Sequence, residues 1–142
     1  MIDTKQHFVI IDTNVLVSGL ISKNLDSPTV KILKFLSESK IIPVYSKEIL
    51  QEYSDVLHRP KFGLSGQLVE LIIKDIQDHG VEITNIPTIN EEFVDQKDIV
   101  FYAVTISVQH ENAILVTGNQ KHFPNKQFIV DPAKLINVIE QE

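Results

Sequence analysis

The chain reads as an α/β protein built on a mainly parallel sheet, and three observations predict it. Short β-rich apolar runs alternate with longer stretches of helical periodicity from one end to the other. The first run, Phe8-Val9-Ile10-Ile11, is continuously apolar, the pattern of a strand covered on both faces. Its 142 residues, 43% hydrophobic and 23% charged, suit one globular domain over 1–142 and are too few for two.

The first strand, Phe8–Ile11, stops at Asp12, and a helical stretch follows from Asn14 to Ile21. Ser27-Pro28 starts the second helix, with serine at the N-cap and proline at the first helical position, and Ile32, Leu33 and Leu36 form its apolar stripe. Pro43-Val44-Tyr45 is a second strand. Ser46 caps the next helix, on which Ile49, Tyr53, Val56 and Leu57 recur at helical spacing until Arg59-Pro60 ends it. A further helix from Leu64 to Asp78 places Leu68, Leu71, Ile72 and Ile76 on a face read as core, and stops before Gly80. Val81-Glu82-Ile83 is the third strand. After the acidic stretch 90–97, a helix runs from Asp98 to Gln109, then a fourth strand, Ala113–Val116, ends in Thr117-Gly118-Asn119. Phe128–Val130 is the fifth strand, and Asp131-Pro132 caps a last helix. Strands alternating with helices imply right-handed crossovers, and sites in such sheets lie beyond the carboxyl ends of the strands.

Composition narrows the chemistry. With no cysteine, disulfide scaffolds, thiolate zinc sites and cysteine nucleophiles are excluded. Met1 to His7 lacks the basic and apolar regions of a signal peptide, and no apolar run approaches the roughly 20 residues of a membrane span; the expectation is a soluble cytoplasmic protein. The five histidines show no metal-ligand spacing, and there is no Walker loop, Gly-x-Gly-x-x-Gly or Gly-x-Ser-x-Gly. A net charge of −6 disfavours a generally basic nucleic-acid surface but permits a concentrated acidic site.

Four carboxylates are candidates for such a site. Asp12, followed by Thr13 and Asn14, ends the first strand, and Thr117, Gly118 and Asn119 occupy the matching end of the fourth. Taken alone, Asp12 also suits an N-cap. Glu52 lies about 100° from the centre of its helix's apolar stripe, so it borders the buried face, where a solvated glutamate fits equally well; Glu48 lies one turn earlier. Asp98 at a helix start is favoured by the macrodipole, and Asp95 suits a solvated loop. Together they supply the carboxylate and amide oxygens that hard divalent cations require, and a cation would offset the like-charge repulsion.

The order of these blocks resembles that of the PIN-domain ribonucleases, which include the VapC-like toxins of toxin–antitoxin modules. The resemblance rests on Val9-Ile10-Ile11-Asp12-Thr13-Asn14-Val15-Leu16-Val17-Ser18-Gly19, on Ser46 to Tyr53 with Val56 to Phe62, on Asp95 to Ala103 and on Leu115-Val116-Thr117-Gly118-Asn119. It spans roughly residues 8 to 130. It implies a three-layer α/β/α sandwich with a five-stranded, mainly parallel sheet, and Mg2+- or Mn2+-dependent cleavage of RNA. Asp12, Glu52 and Asp98 would bind the metal, with Asn119 completing the catalytic set, Asp95 as an accessory acid, and Thr13, Asn14 and Thr117 positioning ligands or water. Asn14 equally fits a continuation of the helix cap.

One departure stands out: many members have aspartate after Thr-Gly, and this chain has Asn119. An amide ligates without adding charge, so a second metal should bind more weakly, and a catalytically weakened scaffold that binds RNA or a protein partner is the alternative. Lys121, with His122 beside it, and Arg59 and Lys61 are candidate RNA-phosphate contacts, or solvated surface cations. Homodimers and small antitoxin partners are family properties that this chain's spacing does not address. A phosphorelay receiver, which also has aspartate after its first strand, fails twice: no aspartate ends the third strand, and no lysine ends the last.

Overall fold

The computed structural model describes residues 6–141; residues 1–5, at the start of the stretch read above for a targeting signal, lie outside them. The chain alternates strand and helix as β1 (His7–Ile11), α1 (Thr13–Ile21), α2 (Pro28–Ser37), β2 (Ile41–Tyr45), α3 (Lys47–Leu57), α4 (Gly66–His79) and β3 (Val81–Glu82), then α5 (Asp98–Ser107), β4 (Ile114–Val116), β5 (Ile129–Val130) and α6 (Pro132–Glu140). The strands form one sheet in the order β3-β2-β1-β4-β5, and every pairing is parallel, so the expected mainly parallel sheet is entirely parallel. With six helices this is a three-layer α/β/α architecture.

β1 is central and almost wholly buried, as its unbroken apolarity requires. Val9, Ile10, Leu115 and Val116 are completely buried between the helical layers. α5 packs on β1 and β4, while α2 packs on α1, α6 and β2. The predicted caps form: Ser27 Oγ accepts from the Val30 N–H at 3.3 Å, Ser46 Oγ from Ile49 at 3.2 Å and an Asp131 oxygen from Lys134 at 2.8 Å.

Some boundaries move. β2 begins two residues ahead of Pro43, because Ile41 and Ile42 pair with His7 and Phe8. α4 begins at Gly66 rather than Leu64, capped by Ser65 Oγ accepting from the Leu68 N–H at 3.1 Å. Its expected core face is corrected: Leu68 and Leu71 are 41% and 65% exposed, whereas Val69 and Ile76 are buried. Positions 69, 72, 73 and 76 form the stripe that meets α3 and β2. α5 stops at Ser107, short of Gln109, and a 3-10 turn over Gln109–Glu111 leads into β4. Gly80 lies where α4 turns into β3, and a Cβ there would fall 2.5 Å from both the Ile76 and Pro43 carbonyl oxygens.

β1 to β3 advance in one direction across the sheet, and β4 returns to the other side of β1. The order therefore reverses between β1 and β4, and the region beyond their carboxyl ends is the usual ligand position in such sheets.

Candidate active site at the β1–β4 switch point

Asp12 and Thr117 follow directly on the register Ile11 to Val116. The Asp12 N–H continues the ladder to the Val116 carbonyl at 3.0 Å, so Asp12 and Thr117 lie side by side at the strand ends. Thr117 Oγ1 donates to Asp12 Oδ2 at 2.6 Å and accepts the Asn119 N–H at 3.0 Å. Asp12 occupies the N-cap of α1, yet its side chain makes no capping hydrogen bond. The carboxylate is held by Thr117 instead, in a position that leaves it 5% exposed.

Burial pushes the Asp12 carboxyl above its ordinary range and the Glu52 charge adds to this, while the bonds from Thr117 and the Thr13 backbone, and His122, oppose it. Burying a carboxylate costs free energy that these few donors only partly offset. Tyr53, on the buried face of α3, anchors the strand end: its hydroxyl donates to the Ile11 carbonyl at 2.5 Å. One turn of α3 thus presents Tyr53 to the core and half-buried Glu52 toward Asp12, while Glu48 is exposed.

Asp98 is the first residue of α5. Burial first, then the charges of Asp12 and Asp95, raise its carboxyl to about 6. Its Oδ2 is buried without a hydrogen-bond partner, as is Thr13 Oγ1. His122 Nδ1 lies 3.5 Å from that oxygen, at ion-pair distance, and its proximity lowers the Asp98 carboxyl against those effects. Asp95 is exposed and folds back locally, its Oδ1 accepting the Lys97 N–H at 3.0 Å.

Asp12, Asp98, Thr117 and Thr13 therefore come together at the strand ends, and Glu52 and Asp95 act on them through their charge. Asn14, Asn119 and Lys121 lie at the rim, exposed. Arg59 and Lys61 come after α3, roughly 10 Å of helical rise beyond Glu52; both are exposed, and the Lys61 ammonium sits 5.1 Å from the centre of the Phe62 ring. Two residues with a role here were not singled out from the sequence. Tyr53 reads as core, although a buried phenol needs an acceptor, and His122 reads only as a companion of Lys121.

Carboxylates forced together, with an unpartnered buried oxygen among them, fit a hard divalent cation. Among the described residues, no three His, Asp or Glu side chains are gathered tightly enough to enclose an ion as they stand. A cavity of 450 Å³ between β3 and the end of α5 contains none of the site residues.

Comparison with known proteins agrees with this geometry. No curated protein sequence matches the chain. The crystal structure of PAE2754 from Pyrobaculum aerophilum superposes with a TM-score of 0.56, covering 96% of this chain and 91% of that one at 12% identity, a likeness of fold. The family model described as PIN domain matches residues 8–121, a span that holds every candidate carboxylate. The chain belongs to the PIN-domain family.

Proposed function

We propose that this chain is a metal-dependent endoribonuclease that hydrolyses RNA phosphodiester bonds as the toxin of a cytoplasmic toxin–antitoxin module. PIN domains are typically nucleases and generally use divalent metal ions. The observation that carries the proposal is the pairing of buried Asp12 with half-buried Asp98 at the switch point, whose carboxyls are both raised, with the Asp98 Oδ2 buried and accepting no hydrogen bond. In this proposal Asp12, Glu52 and Asp98 hold Mg2+ or Mn2+, with Asp95, Asn119, Thr13 and Asn14 around them. A bound cation supplies positive charge against the phosphate oxygens and makes water at the site a stronger acid.

Thr117 holds one Asp12 oxygen and thereby sets the orientation of the carboxylate. Lys121, Arg59 and Lys61 are the proposed phosphate contacts. Because the net charge is −6, RNA is bound locally rather than by a broad basic surface. No described helix is long and apolar enough to cross a membrane.

The test is RNA cleavage in Mg2+ or Mn2+ by Asp12→Asn, Glu52→Gln and Asp98→Asn, each checked for intact fold. All three are expected to be inactive, and full activity in the two aspartate variants would overturn the assignment. Asn119 favours a second reading, a weakened scaffold that binds RNA or a protein. Metal binding by calorimetry only in Asn119→Asp, and not in the wild type, would select it. The toxin role carries a small antitoxin partner and a homodimer. A short upstream reading frame for a DNA-binding protein and sedimentation of the purified chain address these in turn.

A further inference from the structure

Asp98 has a neighbour outside the carboxylate set. His122 ends the 3-10 turn Gln120–His122, and its Nδ1 lies 3.5 Å from the buried Asp98 Oδ2, which accepts no hydrogen bond from any other group. The turn is pinned on both sides. Gln120 Nε2 donates to the Ile129 carbonyl at 3.0 Å, and the His122 N–H donates to the Asn119 carbonyl at 2.9 Å. Phe123, the next residue, is buried and meets Phe93 edge-on at 5.9 Å. The ring is thus positioned by its backbone and is still 42% exposed. Asp12 and Asp98 are the charged groups it acts on.

Donors about 2.0–2.2 Å from a common ion stand roughly 2.8–3.6 Å apart at octahedral to tetrahedral angles. The Asp98 oxygen and His122 nitrogen are already close to that spacing. We propose that His122 Nδ1 and Asp98 Oδ2 are adjacent ligands of one divalent cation, which makes the centre a mixed nitrogen–oxygen site. The proposal rests on the metal-centre reading above. With the ring proton on Nε2, the Nδ1 lone pair faces the cation. Imidazole favours Mn2+ and later first-row ions over Mg2+, which prefers oxygen, so the site should select manganese over magnesium.

The test needs no RNA. Wild type, His122→Gln and Asp98→Asn, stripped with chelator, are loaded with Mn2+ and examined by electron spin-echo envelope modulation, with Mn2+ and Mg2+ affinities from calorimetry. The wild type should show modulation from a directly bound imidazole nitrogen, absent in His122→Gln. In that variant Mn2+ affinity should fall by at least about tenfold, with a much smaller change for Mg2+. Bound Mn2+ without nitrogen modulation overturns the proposal and leaves the carboxylate centre standing, and the wild-type spectrum alone decides this even if a variant misfolds. Tighter Mn2+ binding in His122→Gln also overturns it, making His122 a cation that competes with the metal. Failure of the wild type to bind Mn2+ overturns both the ligand proposal and the metal-centre reading.

Discussion

Asp98→Asn should make the metal-free protein more stable while removing a charge from the site. Burial and the charges of Asp12 and Asp95 hold this carboxyl at about 6, against an ordinary 3.8. The unfolded chain releases the proton near 3.8 and the folded chain near 6. Between those values the folded state binds more protons, so stability falls as pH rises, and above about 6 the loss is complete. A separation of about two pH units corresponds to roughly 3 kcal/mol. Solvent reaches the side chain, 15% exposed, and screening reduces the penalty to about 1–2 kcal/mol. Against this, an anion at the first position of α5 gains about 0.3–1 kcal/mol from the helix dipole. The burial penalty wins by about 1 kcal/mol, or about 3–4 °C in melting temperature for a chain of this size. Thermal melts in chelator at pH 5 and pH 8 check it: the variant should melt above the wild type at pH 8, and the margin should shrink at pH 5. A variant that melts below the wild type at pH 8, or a margin independent of pH, would refute the reasoning, because a simple helix-start aspartate behaves that way.

Three further substitutions probe the frame around that pair. Thr117→Val keeps the side-chain shape but removes the 2.6 Å donor to Asp12 and the acceptor of the Asn119 N–H, so urea unfolding at pH 7 should show a loss of about 1–3 kcal/mol; no change in stability or in Mn2+ affinity would mean the hydroxyl does not orient Asp12. Tyr53→Phe leaves the Ile11 carbonyl without its buried donor and should lose about 1–2 kcal/mol by the same measurement, together with cleavage rate, since the strand end carrying Asp12 loosens. Gly80→Ala drives a methyl into two backbone carbonyls and should lose about 1–3 kcal/mol in chemical denaturation; wild-type stability would show that the α4–β3 corner relaxes freely.

Much of the architecture is legible in the sequence because its determinants are local. Continuous apolarity in Phe8–Ile11 marks a buried strand, Ser27, Ser46 and Asp131 mark helix starts, and each of the three side chains accepts a capping N–H. The α4 face is harder to read, because Leu68 and Leu71 continue an apolar pattern that Val69 and Ile76 also satisfy. Periodicity cannot choose between neighbouring stripes when a helix is covered on one side only. Asp12 is ambiguous in the sequence because cap and site ask for the same residue at the same junction. The hydrogen bond from Thr117, 105 positions away in the chain, separates the two roles.

The sequence by itself determines the alternation of strands and helices, the residues that end β1 and β4, and the four carboxylates available for a site. All of these follow from short-range spacing and side-chain chemistry. Only the tertiary structure decides which carboxylates meet, because that depends on the β1–β4 pairing and on where the crossover helices bring α3 and α5. It also decides their charge state, since burial and neighbouring charge set a proton affinity, and both come from contacts far apart in the chain. His122 enters the site for the same reason: its partner Asp98 comes from another element, and no spacing along the chain records a distance of 3.5 Å across the fold.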